Sequence, residues 1–267
     1  MPLAICATPI GNLDDVTLRV LEELRAADVI LCEDTRHTRV LLDRHGITGK
    51  RLRSYHEHNE AKRVAEVLPR LEAGERIALA SDAGMPAISD PGARLVASAL
   101  ERGVPVTVLP GPSAVETALV ASGLAAERYQ FLGFLPRGAR ALESLWEELA
   151  DWPHPVVAFE SAQRLPATLR SLAEAEPDRR VAVCRELTKR FEEVVVGSAA
   201  ELAARFEQPP KGEITLVLGA STKDRDHDAA VEAVAELSAA GLGRRRAADL
   251  VSRLTGVSRN ELYRRTL

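Results

Sequence analysis

Residues 80–92 combine two Ser-Asp pairs, two glycines and two prolines directly after a short apolar segment. A plain connection from a strand to a helix needs roughly two to six residues, so this segment carries more turn chemistry than joining requires. Glycine lets the backbone approach a ligand closely, and serine and aspartate supply hydrogen-bond acceptors. Because ligands of α/β sheets bind at the carboxyl ends of strands, the pattern predicts a small-molecule site. An ordinary capped turn is the alternative.

Three further polar loops follow apolar segments in the first half of the chain. They are Thr-Pro-Ile-Gly-Asn at 8–12, Glu-Asp-Thr-Arg at 33–36 and Pro-Gly-Pro-Ser at 110–113. In a parallel sheet such loops converge on one edge. The chain has neither the G-x-G-x-x-G dinucleotide pattern nor a P-loop. The site is therefore expected to use carboxylates and backbone groups. His56 and His58 lack a further pair of ligands nearby in sequence, so we expect no metal site.

Alternating strands and helices must position these loops, and they predict a mostly parallel sheet flanked by helices. Strands are predicted at 3–7, 29–32, 77–80 and 104–109. Three helices are predicted: one begins near Asp14 or Asp15, one ends at Gly74 and one lies between Pro91 and Gly103. Their inward residues are Val16, Val20, Leu21 and Leu24 in the first, Val64, Val67, Leu68 and Leu71 in the second, and Leu95, Val96, Ala99 and Leu100 in the third.

The same alternation continues, which predicts an N-terminal α/β domain at 1–122 and a C-terminal α/β domain at 123–220. The second domain has predicted strands at 131–135, 156–159, 180–184, 194–196 and 213–219, and helices at 139–150, 165–174 and 199–206. A polar stretch at 221–228 is the predicted linker.

The remaining residues, 229–267, predict a small basic helical module. One helix is marked by Ala247, Leu250, Val251 and Leu254, and a capping box from Ser258 to Glu261 predicts the start of the next. A helix, a glycine-containing turn and a second helix form the helix-turn-helix pattern. It predicts contact with nucleic acid, while a dimerisation or lid element is the alternative.

Charge is unevenly distributed along the 267 residues, whose formal net charge is −4. Residues 241–267 contain seven arginines and only two carboxylates, so the rest of the chain is acidic. A basic tail on an acidic body suggests contact with a polyanion. No apolar run approaches the roughly 18 residues that span a bilayer, so no membrane partner is expected. Three widely spaced cysteines favour reduced thiols and a cytoplasmic location.

Several of these segments together resemble a known family. The resemblance is carried by residues 7–13, 32–36, 55–60, 81–92, 110–114, 133–136, 185–189 and 211–213. They occur in order over nearly all of residues 3–220 and resemble the ribosomal RNA small subunit methyltransferase I family of the tetrapyrrole-methylase superfamily. The resemblance implies two α/β domains of the tetrapyrrole methylase type (class III methyltransferase), with a small C-terminal helical module.

The resemblance also implies an activity: S-adenosyl-L-methionine-dependent methylation of the ribose 2′-oxygen of a cytidine in the decoding region of 16S rRNA. The partner would be 16S rRNA or the small ribosomal subunit, and the enzyme would be a homodimer. The cofactor would lie in a cleft between the domains. Its implied contacts are Ser81, Asp82, Ala83, Gly84, Ser89, Asp90, Ser113 and Ala114 from the first domain, and Glu186, Leu187, Glu213 and Ile214 from the second.

A ribose hydroxyl is a poor nucleophile at neutral pH, so a base or an orienting group is expected. We favour Asp34, with Glu33, Glu60 and Lys189 as further candidates, and an N-cap with a local ion pair as the alternative for residues 33–36. The predicted RNA-binding residues are Asn12, Arg19, Arg36, Arg39, Arg244, Arg245 and Arg246.

Two positions depart from the family pattern. Met85 stands where the family usually has threonine, and Ala162-Gln163 stands where it usually has Pro-His. A hydroxyl hydrogen bond at the first position and histidine catalysis at the second are therefore excluded here. Two other functions remain open: a methylase of corrin or porphyrin precursors, which needs no basic tail, and a non-catalytic RNA-binding assembly factor, which would not bind the cofactor tightly.

Overall fold

The computed structural model describes residues 2–221 and 225–266, and for residues 225–227 it describes the backbone alone. The predicted linker at 221–228 therefore lies partly outside the described residues, at 222–224. Its last four residues are not a linker, because a helix begins at Arg225.

The N-terminal domain is a five-stranded sheet with helices between its strands. In chain order the elements are β1 (Leu3–Cys6), α1 (Leu18–Ala26), β2 (Val29–Cys32), α2 (Thr35–Arg44), β3 (Leu52–Ser54), α3 (Glu60–Glu72), β4 (Ile77–Ala80), α4 (Ala93–Glu101), β5 (Val106–Leu109) and α5 (Ala114–Ala121). The strand order is β3-β2-β4-β1-β5, and every pair is parallel. The predicted parallel sheet is confirmed, so the carboxyl ends of all five strands lie at one edge.

The C-terminal domain has a second five-stranded sheet of a different kind. Its elements are β6 (Gln130–Phe134), α6 (Ala139–Leu149), β7 (Val156–Ser161), α7 (Leu165–Ala175), β8 (Arg180–Arg185), β9 (Glu193–Ser198), α8 (Ala199–Arg205) and β10 (Glu213–Leu218). The order is β6-β7-β10-β8-β9. Only β6 and β7 pair in parallel, and the other three pairs are antiparallel.

Most apolar positions predicted to face inward are buried, including all four of α3. Two details differ. Helix α1 begins at Leu18, where Thr17 accepts a hydrogen bond from the amide of Val20, rather than near Asp14 or Asp15. Leu100 of α4 is 59% exposed, although its neighbour Ala99 in the same turn is fully buried. Helix α2 was not predicted from the sequence, and its ten residues bury only Thr38, Leu41 and Leu42.

A shared apolar cluster joins the two domains. Its buried members are Ile10, Val115, Ala118 and Leu119 of the first domain and Val157, Ala182, Cys184, Leu187 and Val217 of the second. Helix α5 packs directly on β7 and β10. Burial of this apolar surface fixes one domain against the other, so the loops at the edge of the first sheet face the edge of the second.

Three helices form the C-terminal module: α9 (Arg225–Ala239), α10 (Arg244–Thr255) and α11 (Arg259–Arg265). They share a small core of their own that includes Val234, Ala247 and Val251. Leu250 and Leu254, two of the residues that predicted this helix, are 37% and 78% exposed, whereas Ala248 is fully buried. Ser258 precedes α11 without a side-chain cap hydrogen bond, so the predicted capping box is absent at that helix. Within the described residues, no helix combines the length and apolar character needed to cross a membrane.

Candidate active site

The loops that follow β1, β2 and β4 meet at the edge of the first sheet, as the parallel topology requires. Thr8 and Gly84 exchange backbone hydrogen bonds with N–O distances of 2.8 and 3.0 Å. The Asp82 carboxylate accepts a hydrogen bond from the backbone amide of Asp34 at 2.9 Å. Gly111 lies so close to Ala7 that an added Cβ would be 2.8 Å from the alanine Cβ. The loop after β5 is thereby tied to the same edge.

A cleft of about 500 Å³ lies between this edge and the second sheet. Nine of the twelve predicted cofactor contacts line it. They are Asp82, Ala83, Gly84, Ser89, Asp90, Ser113, Ala114, Glu213 and Ile214. The apolar part of the lining was not predicted from the sequence; Ile10, Met85, Ile88, Phe134 and Phe159 contribute to it.

The other three predicted contacts support the walls of the cleft instead of lining it. The Ser81 hydroxyl is buried and lies 3.2 and 3.0 Å from the carbonyl oxygens of Ala83 and Gly84. Leu187 belongs to the apolar cluster between the domains. The Glu186 carboxylate accepts a hydrogen bond from the backbone amide of Glu213 at 3.0 Å. These residues shape the cleft, because they fix the backbone on which the lining residues stand.

Backbone strain is concentrated around the cleft. Ala87, Ser89, Glu186 and Thr188 are the described non-glycine residues with positive φ, at 71°, 60°, 53° and 64°. All four lie on loops beside the cleft or at the seam between the domains. Such conformations cost free energy and persist where the surrounding structure enforces them, often at functional sites.

Carboxylates are crowded at the cleft. Burial raises the pKa of Asp90 to about 7, and the nearby charges of Glu33 and Asp82 add to this effect. Burial and the charge of Asp82 also raise the pKa of Glu33, although His56 partly opposes the change. A wall with this charge favours a cationic group in the cleft.

A second cavity of about 250 Å³ adjoins the cleft. The two share Ile10, Asp82, Ala83 and Glu213, so a molecule in one would contact a molecule in the other. His37 of α2 lines the second cavity, with its Nδ1 atom 3.3 Å from a carboxylate oxygen of Asp82. His37 is not among the site residues predicted from the sequence. Its position two residues after the N-terminus of α2 was hidden while that helix went unrecognised.

Asp34 has a structural role in this geometry. Its carboxylate caps α2 by accepting the Arg36 amide at 2.8 Å, and it also pairs with the Arg36 guanidinium at 2.6 Å. These hydrogen bonds hold the pKa of Asp34 well below its usual range, so it is a weak base. The N-cap and ion pair that the sequence left open as an alternative are both present.

The remaining catalytic candidates are also engaged. Lys189 donates from Nζ to Glu186 at 3.0 Å and to Glu213 at 2.5 Å. Burial lowers the Lys189 pKa, but hydrogen bonds to these two carboxylates outweigh that effect and raise it, so the ammonium stays charged. Glu60 accepts hydrogen bonds from the Tyr55 hydroxyl and the Gly92 amide at 2.8 and 3.2 Å. It therefore anchors the start of α4.

The predicted RNA-binding residues lie on separate surfaces. Arg19 and Arg39 are exposed on the N-terminal domain, as is Arg36, which is engaged with Asp34. Arg244, Arg245 and Arg246 are exposed at the start of α10 in the C-terminal module. Asn12 lies at the seam between the domains, where its amide donates to the Thr188 hydroxyl at 2.9 Å.

The departures from the family pattern have clear places in the site. Met85 lines the cleft and packs against the core of the N-terminal domain, so an apolar thioether stands where a hydroxyl was usual. Ala162 lines the cleft, whereas Gln163 is exposed. Among the residues that the structure describes, no group of three metal-ligating side chains occurs, around His56 and His58 or elsewhere.

Comparison with known proteins agrees with this architecture. The family model of the Tetrapyrrole (Corrin/Porphyrin) Methylases matches residues 2–203, and that of the RsmI C-terminal HTH domain matches residues 225–267. A Mesorhizobium japonicum protein named ribosomal RNA small subunit methyltransferase I is 43% identical, with 99% of this chain and 91% of that protein covered. A Thermotoga maritima protein of the same name is 47% identical, with 81% and 97% covered.

Solved structures with low sequence identity share the fold. Uroporphyrin-III C-methyltransferase from Thermus thermophilus, complexed with S-adenyl homocysteine, has a TM-score of 0.57 at 19% identity, with 81% of this chain and 96% of that chain covered. The two sheets and the helices between their strands are therefore those of a class III methyltransferase. Together with the matches over most of its length, this places the chain in the tetrapyrrole methylase family and, within it, in the ribosomal RNA small subunit methyltransferase I family.

Proposed function

We propose that the protein transfers a methyl group from S-adenosyl-L-methionine to the ribose 2′-oxygen of a cytidine in the decoding region of 16S rRNA. The observation that carries this proposal is the likeness, over 99% of the chain, to a protein named ribosomal RNA small subunit methyltransferase I. The cleft with its adjoining cavity supports it, because methyl transfer needs two binding sites that meet at the reacting atoms.

The residues of the cleft fit the proposed cofactor. Its volume of about 500 Å³ lies within the usual range for small-molecule sites. Gly84 has a φ of +74°, and the nearest atom to an added Cβ would be 3.7 Å away, so its backbone is open to a ligand. Phe134 and Phe159 provide apolar faces, and Asp82, Asp90 and Glu213 provide negative charge. A sulfonium cation is stabilised by both kinds of group.

When bound, S-adenosyl-L-methionine supplies an electrophilic methyl group on a positively charged sulfur. The chain must then hold a ribose hydroxyl in line with it and accept the hydroxyl proton. His37 and Asp82 are placed for this task, because both line the second cavity and Asp82 also lines the cleft. We infer that Asp82 orients the imidazole through Nδ1, which leaves Nε2 to accept the proton.

The other charged groups around the proposed reaction have three roles. Lys189 lines the second cavity as a cation and would stabilise negative charge on the attacking oxygen. Asp34 would hold α2, and with it His37, in place. Glu33 would add negative charge near Asp82 and Asp90, in support of the cationic sulfur.

The C-terminal module supports a polyanionic substrate. Its exposed arginines at the start of α10 lie on a domain whose sequence matches a helix-turn-helix family. Contacts to phosphates would position the RNA without reading its sequence. A homodimer and a cytoplasmic location remain predictions, and light scattering of the purified chain would test the first.

The decisive experiment maps ribose methylation on small-subunit rRNA from a strain that lacks this gene, before and after purified protein and S-adenosyl-L-methionine are added. We expect one cytidine of the decoding region to gain a 2′-O-methyl group. An unchanged map would overturn the proposal. A new methyl group on a base, or on a different nucleotide, would keep rRNA methylation but remove its proposed target.

A further inference from the structure

The second cavity is not closed on its outer side. It opens into an outer groove along the seam between the domains, with which it shares Gly11, Leu13 and Lys189. The rest of the groove lining is Asn12, Asp14, Arg44, Thr188 and Arg190. A chain-like ligand whose reacting unit occupies the second cavity can therefore leave through this groove.

Of the three basic side chains that line the groove, Arg44 and Lys189 are paired with carboxylates, which leaves Arg190 available to a ligand. Arg44 is bound by Asp14 through two hydrogen bonds of 2.9 and 2.8 Å. Lys189 is bound by two carboxylates. Arg190 is exposed and has no ion-pair partner among the described residues. Its guanidinium lies over the ring of Phe191, 5.5 Å from the centroid.

Phe191 is one of several exposed large apolar side chains, and it lies next to the groove. It is 65% exposed, although a phenylalanine loses favourable free energy when it faces water. It lies in the turn between β8 and β9, directly after the groove residue Arg190. Exposed aromatic rings and arginine side chains are the groups on which bases of single-stranded RNA stack, because every base has a face that can stack.

The turn that carries this pair is held firmly in place. Thr188 adopts a φ of 64°, and its amide donates to the Glu192 carboxylate at 2.5 Å. Its hydroxyl accepts the Asn12 amide of the other domain at 2.9 Å. An added Cβ on Gly11 would lie 2.5 Å from Cγ of Lys189, so the two loops are in close contact. The position of Arg190 is therefore fixed relative to the second cavity.

We propose that Arg190 and Phe191 bind the nucleotide next to the one whose ribose enters the second cavity, by stacking on its base and contacting its phosphate. This inference rests on the proposed function, since it requires an RNA strand with one nucleotide in the site. Stacking is tolerant of base identity, so the pair contributes affinity and strand direction, and selection of the target is left to other contacts.

The test compares Phe191→Ala and Arg190→Ala with the unaltered chain. We expect each substitution to raise the KM for small ribosomal subunits about tenfold, with the Kd for S-adenosyl-L-methionine unchanged. Each should also weaken the binding of a labelled oligoribonucleotide about ten nucleotides long by a similar factor. Phe191→Trp keeps a stacking surface and should restore most of the affinity.

Two matched controls lie outside the cleft, the second cavity and the groove. Leu100→Ala removes an equally exposed apolar side chain from α4, and Arg170→Ala removes an exposed arginine from α7. Neither should change the KM. An unchanged KM for Phe191→Ala and Arg190→Ala would overturn the inference. A raised KM with unchanged oligoribonucleotide affinity would overturn it too, because the pair would then contact ribosomal protein. If the unaltered chain methylates no rRNA, the proposed function itself fails, and this inference fails with it.

Discussion

In the N-terminal domain the carboxyl ends of all five strands lie at the edge of the sheet that faces the cleft. In the C-terminal domain the cleft is lined by the ends of some strands and the beginning of another. The first sheet is entirely parallel, so its carboxyl ends converge by topology alone. In the second sheet β10 runs antiparallel to β7 and β8, and Glu213 at its start pairs with Ser161 at the end of β7. Both sheets thus present loops to one cleft through different strand arrangements.

The difference separates two tasks in the proposed reaction. The parallel edge carries most of the polar groups that line the two cavities, because strand-to-helix loops with glycine and aspartate form there. The mixed sheet contributes apolar rings and a turn in which Glu186 and Thr188 have positive φ. We infer that the first domain supplies the proton acceptor, and that the second supplies the Lys189 ammonium, closes the site and guides the strand.

Removal of the proposed base, His37, from the first domain should have the largest effect on activity and tests the assignment of tasks to the two domains most directly. His37→Gln keeps a polar side chain of similar size but cannot accept the proton. The kcat for methyl transfer to small subunits should fall about 100- to 10,000-fold, with little change in the Kd for S-adenosyl-L-methionine. A discontinuous methyl-transfer assay would measure kcat, and calorimetry would measure the Kd for S-adenosyl-L-methionine.

His58→Gln is the matched control, because His58 is exposed and lines neither cavity. Asp82→Asn should reproduce much of the kcat loss, since it removes the group that orients the imidazole. A kcat for His37→Gln within about threefold of the unaltered value would show that no base acts from this position.

The next largest effect is expected where the two domains meet. Gly11→Ala would place a Cβ 2.5 Å from Cγ of Lys189 and 2.9 Å from the backbone carbonyl oxygen of Leu187, so the loops must move apart. A displacement of about 1 Å in the site can reduce the rate about 100-fold, and we expect kcat/KM to fall by that order.

Gly138→Ala provides the comparison, because Gly138 has negative φ and no atom within 4 Å of an added Cβ. Circular dichroism should show both variants folded, with the rate loss confined to Gly11→Ala. Full activity of Gly11→Ala would mean that the contact between these loops is not needed for the reaction.

The contrast between the domains also explains what could be predicted from the sequence. The four loops of the first domain were recognisable because polar turn residues follow buried apolar runs, and a parallel sheet leaves only one edge for them. Helix α2 escaped detection because its apolar residues are confined to Val40, Leu41 and Leu42, so its periodicity is short. His37 could not be assigned a position without that helix.

The second domain was less accessible to prediction for another reason. Its strands were found within two residues of their observed bounds, but strand direction is not encoded in an apolar run. Leu187 follows a strand and was implied as a cofactor contact, yet the turn geometry directs it into the apolar cluster between the domains. The orientation of Leu187 depends on the positive φ of Glu186 and Thr188 on either side of it, which single-residue propensities do not predict.

The negative charge of the cleft should have a smaller effect, on the pH dependence of the Kd for S-adenosyl-L-methionine. Because the pKa of Asp90 is raised to about 7, its carboxylate is ionised above that pH and neutral below it. The Kd for S-adenosyl-L-methionine should therefore rise, by up to about tenfold, as the pH falls from 8 to 6. Asp90→Asn should bind at the weaker level throughout and lose this pH dependence.

The same shift has an opposite consequence for folding without the cofactor. The folded pKa is raised above the unfolded value of 3.8, so folding becomes more favourable as pH falls from about 7 towards 4 through this group. Asp90→Asn should remove that part of the pH dependence of unfolding. Asp178→Asn, at an exposed carboxylate outside the cleft, should change neither measurement.

The smallest effect is expected at Asp34, and it separates positioning from catalysis most directly. Asparagine caps helices as well as aspartate does, so Asp34→Asn should retain turnover within about threefold and keep α2 and His37 in place. Asp34→Ala removes the cap and the Arg36 pair together, and its kcat should fall further while cofactor binding is retained. Because the pKa of Asp34 is lowered in the folded protein, its stabilising contribution is fully present at neutral pH and is lost only as strongly acidic pH protonates it. Loss of turnover in Asp34→Asn with intact cofactor affinity would instead make Asp34 the base, and the division of roles between Asp34 and His37 would then be reversed.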